Sequence, residues 1–454
     1  MKRSTGYFLS ALLFFAACSP QKLIQKQAQQ AILQKPDLSK AHIGITLYDV
    51  ADKKYLYNYQ GDKYFVPASN TKLVTCFAAL KYLGDSLTGI RYLENDTALF
   101  LLPAADPTFL HPEFARQPVA DFLKKTTKNI YITDQDWKDK ALGMGWSWND
   151  YNDDYMAERS PLPVYGNIIK WVQEAAPTTQ TEGNDFAPSP SVYSIPEVNW
   201  KVRFNVDASV KSFGVEREQA ENIYHITQGT EKKKEQEVPF VTHGLQSALE
   251  LLPDSIGKEI NYKAWKSTRN LQAMIRSQQP VAIHSQPTDS MLKPMMHRSD
   301  NFYAEQTLLM VSNQRLGVMS DRLIIDTLLK SDLADLPQVP RWVDGSGLSR
   351  YNLFTPQDFV AILDKMQQQV SIERLKNILP TGGRGTLGNF YKQDSGYIYA
   401  KTGTLSGVVA LSGYLYTRKN KLIIFSVLVN NHNGSAVTIR RNVEAFLTGI
   451  RNKY

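Results

Sequence analysis

The sequence is poor in cysteine, in metal-binding histidine patterns and in long apolar runs. Its 454 residues include two cysteines, Cys18 and Cys76, which excludes a disulfide framework and a cysteine-based zinc site. The seven histidines contain no His-x-x-x-His pair, so we expect no metal and no cofactor. No run of about 20 apolar residues occurs, and this excludes a polytopic membrane protein.

An excess of one charge sign is present but small. Lys and Arg number 52 against 44 Asp and Glu, which gives a net charge of +8. We find no long basic block and no alternating aromatic and basic residues, so we expect no nucleic-acid partner. An anionic polymer or a membrane surface is compatible with this charge. The composition, 43% hydrophobic and 21% charged, is that of a globular protein, and the length predicts two or three domains.

The first 17 residues have the pattern of an export signal. Lys2 and Arg3 precede an apolar run, Tyr7 to Ala17, that is too short to span a membrane as a helix. Phe15-Ala16-Ala17-Cys18 resembles the lipobox of bacterial lipoproteins, although Phe15 stands where Leu is usual. We therefore expect residues 1–17 to be a lipoprotein signal peptide and Cys18 to carry the lipid anchor. The simpler alternative is a plain signal peptide with an incidental cysteine.

The mature chain begins and ends with mixed helix and strand patterns. Residues 42–59 predict a hairpin, and Pro67 opens an apolar-periodic helix that stops at Gly84. Three strand patterns between 397 and 429 and a helix over 436–450 close the chain.

The middle of the chain differs in texture. From residue 88 to 262, short strand patterns alternate with Pro, Asn and Asp turns. Residues 129–133 and 238–242 are examples, and the charged run 231–235 predicts a solvated hairpin tip. We therefore predict an α/β (α+β) protein whose discontinuous domain, 18–87 and 263–454, is interrupted by a β-rich insertion of one or two subdomains, 88–262.

Ser69-Asn70-Thr71-Lys72 places a hydroxyl and an amine on one face of a helix start. The helix N-terminus favours negative charge on the Ser69 oxygen, and a neutral Lys72 can take the hydroxyl proton. Burial or nearby positive charge would lower the pKa of Lys72 towards that neutral state. The pattern alone is not specific, because it occurs three more times, at Ser19/Lys22, Ser255/Lys258 and Ser290/Lys293.

Two further motifs follow in the chain. Ser299-Asp300-Asn301 stands just before a helical pattern, and Lys401-Thr402-Gly403-Thr404 lies between two strand patterns. Gly403 leaves room for a substrate backbone at a strand edge, and Lys401 offers a cation to a carboxylate. Ser-x-x-Lys, Ser-x-Asn and Lys-Thr-Gly in this order are the motif set of penicillin-binding proteins and class A β-lactamases.

The conjunction and several flanking blocks resemble the low-molecular-mass class C penicillin-binding proteins, which are D-alanyl-D-alanine carboxypeptidases/endopeptidases. The blocks are Phe65 to Leu73, Asp344 to Arg350, Gly385 to Leu387 and Ala400 to Gly407. That family carries a large insertion between its first two motifs, and here Ser299 follows Ser69 by 230 residues. The resemblance implies a penicillin-binding, serine β-lactamase-like transpeptidase domain with helices around a mostly antiparallel sheet.

The resemblance also implies a role for each motif residue. Ser69 would be the nucleophile and Lys72 its base, while Ser299 and Lys401 would pass a proton to the leaving amine. Substrate would be held by Asn301, Lys401, Thr402 and Thr404. The partners would be peptidoglycan stem peptides, with β-lactams as inhibitors, in the bacterial cell envelope on the periplasmic side.

A segment of the insertion, Gly145-Trp146-Ser147-Trp148-Asn149-Asp150, resembles a family segment whose Asp contacts an amino group of the peptide. The resemblance thus implies a substrate-binding role for Asp150, against the alternative of a surface turn. Asp106-Pro107-Thr108 also resembles the family, although Pro103-Ala104-Ala105 replaces its usual Gly-x-Gly.

Two other functions remain open at this stage. A β-lactamase of class A needs a deacylating Glu some dozens of residues after Ser-Asp-Asn, and no Glu occurs between Glu305 and Glu373. A non-catalytic penicillin-binding wall or sensor lipoprotein would keep the pocket without turnover. The intact motif residues favour an enzyme over this alternative.

Overall fold

The computed structural model describes residues 20–174, 191–205, 211–264, 272–274 and 277–454. The predicted signal peptide, 1–17, and the predicted lipidation site, Cys18, lie outside the described residues. Within the described part of the chain, no helix is both long enough and apolar enough to span a membrane.

A five-stranded antiparallel sheet joins the two ends of the chain. Its order is β14-β15-β16-β1-β2. The strands are β1 (His42–Asp49), β2 (Lys54–Tyr59), β14 (Ile398–Leu405), β15 (Val408–Tyr416) and β16 (Leu422–Asn430). The predicted N-terminal hairpin and C-terminal strands are confirmed. Strands β15 and β16 are almost continuously buried because both faces of the sheet are covered.

Helices cover both faces of this sheet, and successive strand residues alternate between them. On one face, Ala410 and Tyr414 of β15 pack in a core with the helix that follows Ser69. On the other face, Val409 and Leu411 pack with the first and last helices of the chain. The helices of the described residues are α1 (Pro20–Ala28), α2 (Thr71–Tyr82), α3 (Pro118–Lys125), α4 (Gln246–Ile256), α5 (Thr288–His297), α6 (Asn301–Leu316), α7 (Asp321–Lys330), α8 (Pro356–Gln369), α9 (Ile372–Ile378) and α10 (Ala436–Lys453).

The middle of the chain is rich in strands, as predicted, and has its own apolar core. One sheet has the order β12-β5-β4-β3-β13, and two three-stranded sheets have the orders β11-β6-β7 and β8-β10-β9. The strands are β3 (Ser86–Glu94), β4 (Ala98–Pro103), β5 (Asn129–Ile132), β6 (Ile168–Glu174), β7 (Ser191–Ile195), β8 (Lys201–Asn205), β9 (Gly214–Arg217), β10 (Ile223–Thr227), β11 (Lys233–Pro239), β12 (Ile260–Tyr262) and β13 (Val281–Pro287).

Two local predictions in this region are only partly correct. Residues 231–235 were expected at a hairpin tip and 238–242 in a strand, whereas β11 occupies Lys233–Pro239. The charged residues join the strand because their side chains lie on exposed positions and meet opposite charges across β6, as in Lys233 with Glu174 at 3.0 Å.

The strand pairing is what an inserted region would produce, since residues 42–59 and 398–430 share one sheet. The mixture of helices with a mostly antiparallel sheet confirms the predicted fold class. Strand β13 lies beyond residue 262 yet pairs with β3, and the boundaries 88 and 262 stay predictions.

Candidate active site

Ser69 lies in a single 3₁₀ turn, Ala68–Asn70, that continues directly into α2. The turn is tightly wound: Ala68 has a φ of +47°, and the hydroxyl of Thr71 donates to the Ala68 carbonyl at 2.9 Å. Ser69 therefore stands at the N-terminal end of α2, as predicted. The unpaired N–H groups at such an end favour negative charge.

Two glycines let the rest of the site approach this turn. A Cβ on Gly347, which has a φ of +85°, would lie 2.0 Å from the Ala68 carbonyl oxygen. A Cβ on Gly403 would lie 3.1 Å from the Ser69 nitrogen and 2.7 Å from the Pro67 oxygen. The nucleophile turn is thus enclosed between the loop 344–350 and strand β14, and only glycine permits either approach.

The ammonium nitrogen of Lys72 is the hub of the site. It lies 3.0 Å from the Ser69 Oγ, 2.6 Å from the Asn301 Oδ1 and 2.8 Å from the Ser346 carbonyl oxygen. The side chain is fully buried, and this desolvation lowers the pKa of Lys72 to about 8 even though the carboxylates of Asp344, Asp300 and Glu305 oppose the shift. With a pKa of about 8, roughly a tenth of Lys72 is neutral at pH 7, far more than for an exposed lysine.

A second lysine and serine form another hydrogen-bonded pair at the cleft. Lys401 on β14 donates to the Ser299 Oγ and to the Thr402 carbonyl oxygen, both at 2.8 Å. Burial, followed by the nearby charges of Lys72 and Arg440, holds the pKa of Lys401 well below its usual range. Ser299 occupies the link between α5 and α6 with a φ of +65°.

Asn301 connects Lys72 to the segment around Tyr155. Its Oδ1 accepts from Lys72, and its Nδ2 donates to the Tyr155 carbonyl oxygen at 3.0 Å. It is held at the first residue of α6, whose N-cap Asp300 accepts from the Tyr303 N–H at 2.9 Å. The Ser-x-Asn motif thus combines a helix cap with two site residues.

These groups border an open cleft of about 930 Å³. Its walls include the loop 344–350, strand β14 and the segment around residues 145–156. The lining residues include Ser69, Trp146, Asp150, Tyr155, Met156, Ser299, Asn301, Gly347, Arg350, Thr386, Thr402, Thr404 and Arg440. Asp150, for which the family resemblance implies a substrate-binding role, lines the same cleft as Ser69.

Two buried acidic residues, Asp344 and Glu305, hold the loop 344–350 that borders the cleft. Asp344 accepts from the Trp146 Nε1 at 3.0 Å and from the Gly347 N–H at 2.8 Å. Glu305 accepts from the Ser346 N–H at 2.7 Å, and burial raises its pKa to about 8. The Ser346 carbonyl oxygen also accepts a hydrogen bond from Lys72. Asp344 and Glu305 therefore hold the loop that contacts this lysine.

The structure brings together all eight predicted site residues of the described chain: Ser69, Lys72, Asp150, Ser299, Asn301, Lys401, Thr402 and Thr404. Among the cleft residues that sequence reasoning missed are Tyr155 and Arg440. Tyr155 carried no motif, and Arg440 is one of several arginines in an amphipathic helix, so no sequence pattern marked either residue. Among the described residues, no group of three or more His, Cys, Asp and Glu side chains is placed to hold a metal ion.

Comparisons with known proteins show which proteins this chain resembles. A family model described as the D-Ala-D-Ala carboxypeptidase 3 (S13) family matches residues 25–450. A D-alanyl-D-alanine carboxypeptidase from an Actinomadura species is 26% identical over 447 residues, which cover 89% of this chain and 81% of that protein. Another, from Haemophilus influenzae, is 22% identical and covers 87% and 86%. The crystal structure of penicillin binding protein 4 from Haemophilus influenzae has a similar fold, with a TM-score of 0.68, 19% identity and coverage of 93% and 97%.

Proposed function

Since the chain belongs to the D-Ala-D-Ala carboxypeptidase 3 (S13) family, we propose that it is a serine-type D-Ala-D-Ala carboxypeptidase/endopeptidase that acts through an acyl-enzyme on Ser69. One observation carries this function. The Ser69 hydroxyl, the Lys72 amine and the Asn301 amide form a continuous set of hydrogen bonds at 3.0 and 2.6 Å, and the Lys401 and Ser299 pair, joined at 2.8 Å, meets the same cleft through Ser299.

The reaction is acyl transfer in two stages. The Ser69 Oγ attacks the carbonyl carbon of the peptide bond after a D-Ala, and its proton passes to neutral Lys72. The C–N bond then breaks, and the Ser299 and Lys401 pair delivers a proton to the leaving amine. Water next attacks the ester, which releases the shortened peptide as an acid and restores the Ser69 hydroxyl. The pKa of Lys72, about 8, suits a base working near neutral pH.

The oxyanion of the tetrahedral intermediate would sit between the backbone N–H groups of Ser69 and Thr404. The close approach of Gly403 to the Ser69 nitrogen supports this arrangement, because it brings β14 to the nucleophile turn. Loss of one such donor typically lowers the rate by about 10²–10³.

The substrate would be a peptidoglycan stem peptide. Asn301 would hold its backbone amide, Thr402 and Thr404 would hold its terminal carboxylate within the field of Lys401, and Asp150 would bind an amino group of the peptide side chain. The position of Asp150, Thr402 and Thr404 on one cleft with Ser69 supports these roles. Penicillins share the acylating carbonyl and the carboxylate, so they are expected to inhibit by acylating Ser69.

The enzyme would act in the bacterial cell envelope, on the periplasmic side, held by a lipid on Cys18. The support is the short apolar run that ends in Ala16-Ala17-Cys18. Mass spectrometry of the mature N-terminus checks this: a diacylglyceryl group on Cys18 as the first residue is expected. An unmodified N-terminus at another residue would contradict the anchor, and Cys18→Ser is expected to release the protein from membranes.

The proposed activity is tested with a fluorescent penicillin and with a D-Ala-D-Ala peptide. The mature chain should be labelled covalently and should release D-Ala, whereas Ser69→Ala should do neither. Labelling without any peptide turnover would favour the non-catalytic sensor instead. Absence of labelling in the unaltered chain would overturn the assignment of Ser69.

A further inference from the structure

Arg440 places a second kind of cation at the Lys-Thr-Gly strand. It lies on α10, and its guanidinium Nη2 donates to the Thr404 Oγ1. Its guanidinium carbon is 5.8 Å from the centroid of the Phe390 ring, and the residue lines the same cleft as Ser69. Arg440 therefore faces the position where the leaving group of a bound peptide would lie.

Arg440 is half-buried, and no acidic side chain of the described part of the chain pairs with it. Among the ion pairs of the described residues none includes Arg440, whereas its neighbour Arg441 is paired with Glu444 at 2.5 Å. Burial alone lowers the pKa of Arg440. A partly desolvated guanidinium that has one hydroxyl contact still has donors to satisfy, and a carboxylate matches its planar fork.

Lys401 is less able to make that contact directly. It is fully buried, and its ammonium already donates to the Ser299 Oγ and the Thr402 carbonyl. Of these described cations, Arg440 borders the cleft and Lys401 does not. Arg350 is the other arginine that lines the cleft. It is exposed, and it donates at 2.9 Å to the carbonyl oxygen of Ser406, two residues after Thr404.

We propose that Arg440, together with Thr404, binds the carboxylate on the carbon next to the leaving amine, and that this contact makes a leaving group with a free carboxylate the preferred one. The inference rests on the proposed function and specifies its leaving-group site. Arg440 would touch the substrate without taking part in bond making. The same contact would hold the carboxylate of a penicillin during acylation of Ser69.

The test compares two substrates in three proteins. The substrates are an N-acylated peptide ending in D-Ala-D-Ala with a free carboxylate and the same peptide as its terminal amide. The proteins are the mature chain, Arg440→Gln and the control Arg441→Gln, which removes a neighbouring arginine that also lies over Phe390. Arg440→Lys is added because it keeps the positive charge but lacks the planar, two-donor guanidinium group.

We expect Arg440→Gln to lower kcat/KM for the carboxylate peptide roughly 10- to 150-fold, the range for a hydrogen bond to a charged group. The amide peptide should change less than about twofold, so the preference for the carboxylate should disappear. Arg440→Lys should restore part of the preference, and Arg441→Gln should leave both substrates unchanged.

Other outcomes overturn the inference in separable ways. An equal loss on both peptides in Arg440→Gln would mean that Arg440 only supports the local structure. Retention of the full preference would show that another group binds the carboxylate. If the unaltered chain neither hydrolyses a peptide nor reacts with penicillin, the proposed function itself fails, and the role of Arg440 fails with it.

Discussion

At the scale of single residues, the proposed chemistry depends on the burial and desolvation of two lysines. Both Lys72 and Lys401 are fully buried, and desolvation disfavours the charged form of each. A lysine at the surface would remain protonated and could not accept the Ser69 proton. Under the proposed mechanism, burial therefore contributes to catalysis through the protonation state of Lys72, besides contributing to packing.

The pKa of Lys72 predicts the pH dependence of acylation. Lys72 acts as a base when neutral, so the acylation rate should fall about tenfold per pH unit below a pKa near 8 and level off above it. The rate of penicillin acylation, followed by stopped flow between pH 5 and 10, measures this. A profile with no ascending limb near neutrality would contradict a titrating Lys72.

Glu305 provides the control for that experiment, because its pKa is also raised to about 8 by burial. Glu305→Gln keeps an oxygen that can accept from the Ser346 N–H, but it cannot titrate. If Lys72 is the base, the ascending limb should persist in Glu305→Gln, at the same pH or lower, since the Glu305 carboxylate raises the pKa of Lys72. Loss of the limb would assign it to Glu305.

Asp150 predicts a selectivity for peptides with a free side-chain amine. Asp150→Asn should lower kcat/KM for such a peptide roughly 10- to 150-fold and leave its acetylated counterpart nearly unchanged. Asp153→Asn is the matched control, because Asp153 is exposed and lies outside the group that lines the cleft. An equal loss on both peptides in Asp150→Asn would indicate a structural role only.

At the scale of elements, the nucleophile turn is held from outside as much as from within. Gly347 and Gly403 bring a loop and a strand into contact with a turn in which Ala68 already has a positive φ. The motifs marked these segments in the sequence. The mutual approach of the segments is visible only in the structure, because it depends on residues about 280 and 335 positions away from the turn.

Gly347→Ala tests this support. The new Cβ would lie 2.0 Å from the Ala68 carbonyl oxygen, so the turn must shift, and a misplacement of about 1 Å lowers rates on the order of 100-fold. We expect penicillin acylation to fall by that amount. Gly84→Ala is the control, because Gly84 also has a positive φ, +69°, but nothing within 4 Å of its Cβ position.

The control separates backbone strain from contact with the nucleophile. Gly84→Ala should lower the free energy of unfolding by about 1–2 kcal/mol, the strain of a left-handed residue, with acylation unchanged. If Gly347→Ala reacts with penicillin as fast as the unaltered chain, the loop does not position Ser69.

The first half of strand β11, which the sequence pattern did not predict, shows a limit of local patterns in predicting secondary structure. The run Glu231-Lys232-Lys233-Lys234-Glu235 has the composition of a solvated turn. In the structure its second half forms part of a strand, because β6 offers complementary charges and a pairing edge. Strand formation by charged residues depends on the partner strand, which lies about 60 residues earlier in the chain.

At the scale of the whole molecule, a buried arginine links the insertion to the helices beneath the site. Arg159 donates to Asp321 at 2.6 Å and to Asp139 at 2.9 Å, and it lies 3.5 Å from Glu305. The side chain is almost completely buried. Glu305 also accepts a hydrogen bond from the Ser346 N–H. The contact between Arg159 and Glu305 therefore connects a residue of the predicted insertion with the loop 344–350 at the cleft.

Arg159→Met should destabilise the protein strongly. Removal of one partner leaves buried carboxylates without compensation, and we expect the free energy of unfolding to fall by about 3–5 kcal/mol. Urea unfolding followed by tryptophan fluorescence measures this. Lys128→Met, which breaks the exposed pair with Glu94, is the control and should cost at most about 1 kcal/mol. Equal effects in the two variants would contradict a special role for the buried cluster.

The sequence by itself determined the reaction class and the mixed fold, and it supplied the candidates for the nucleophile and its base. These follow from short motifs whose residues are close in the chain, such as Ser69 with Lys72 on one helical turn, and from apolar periodicity. The tertiary structure alone decided that Lys72 is desolvated, that Asp150 lines the same cleft as Ser69, and that Arg440 donates to Thr404. Burial and the meeting of distant segments are properties of the packed chain, because the local sequence around a residue does not say what will exclude its water.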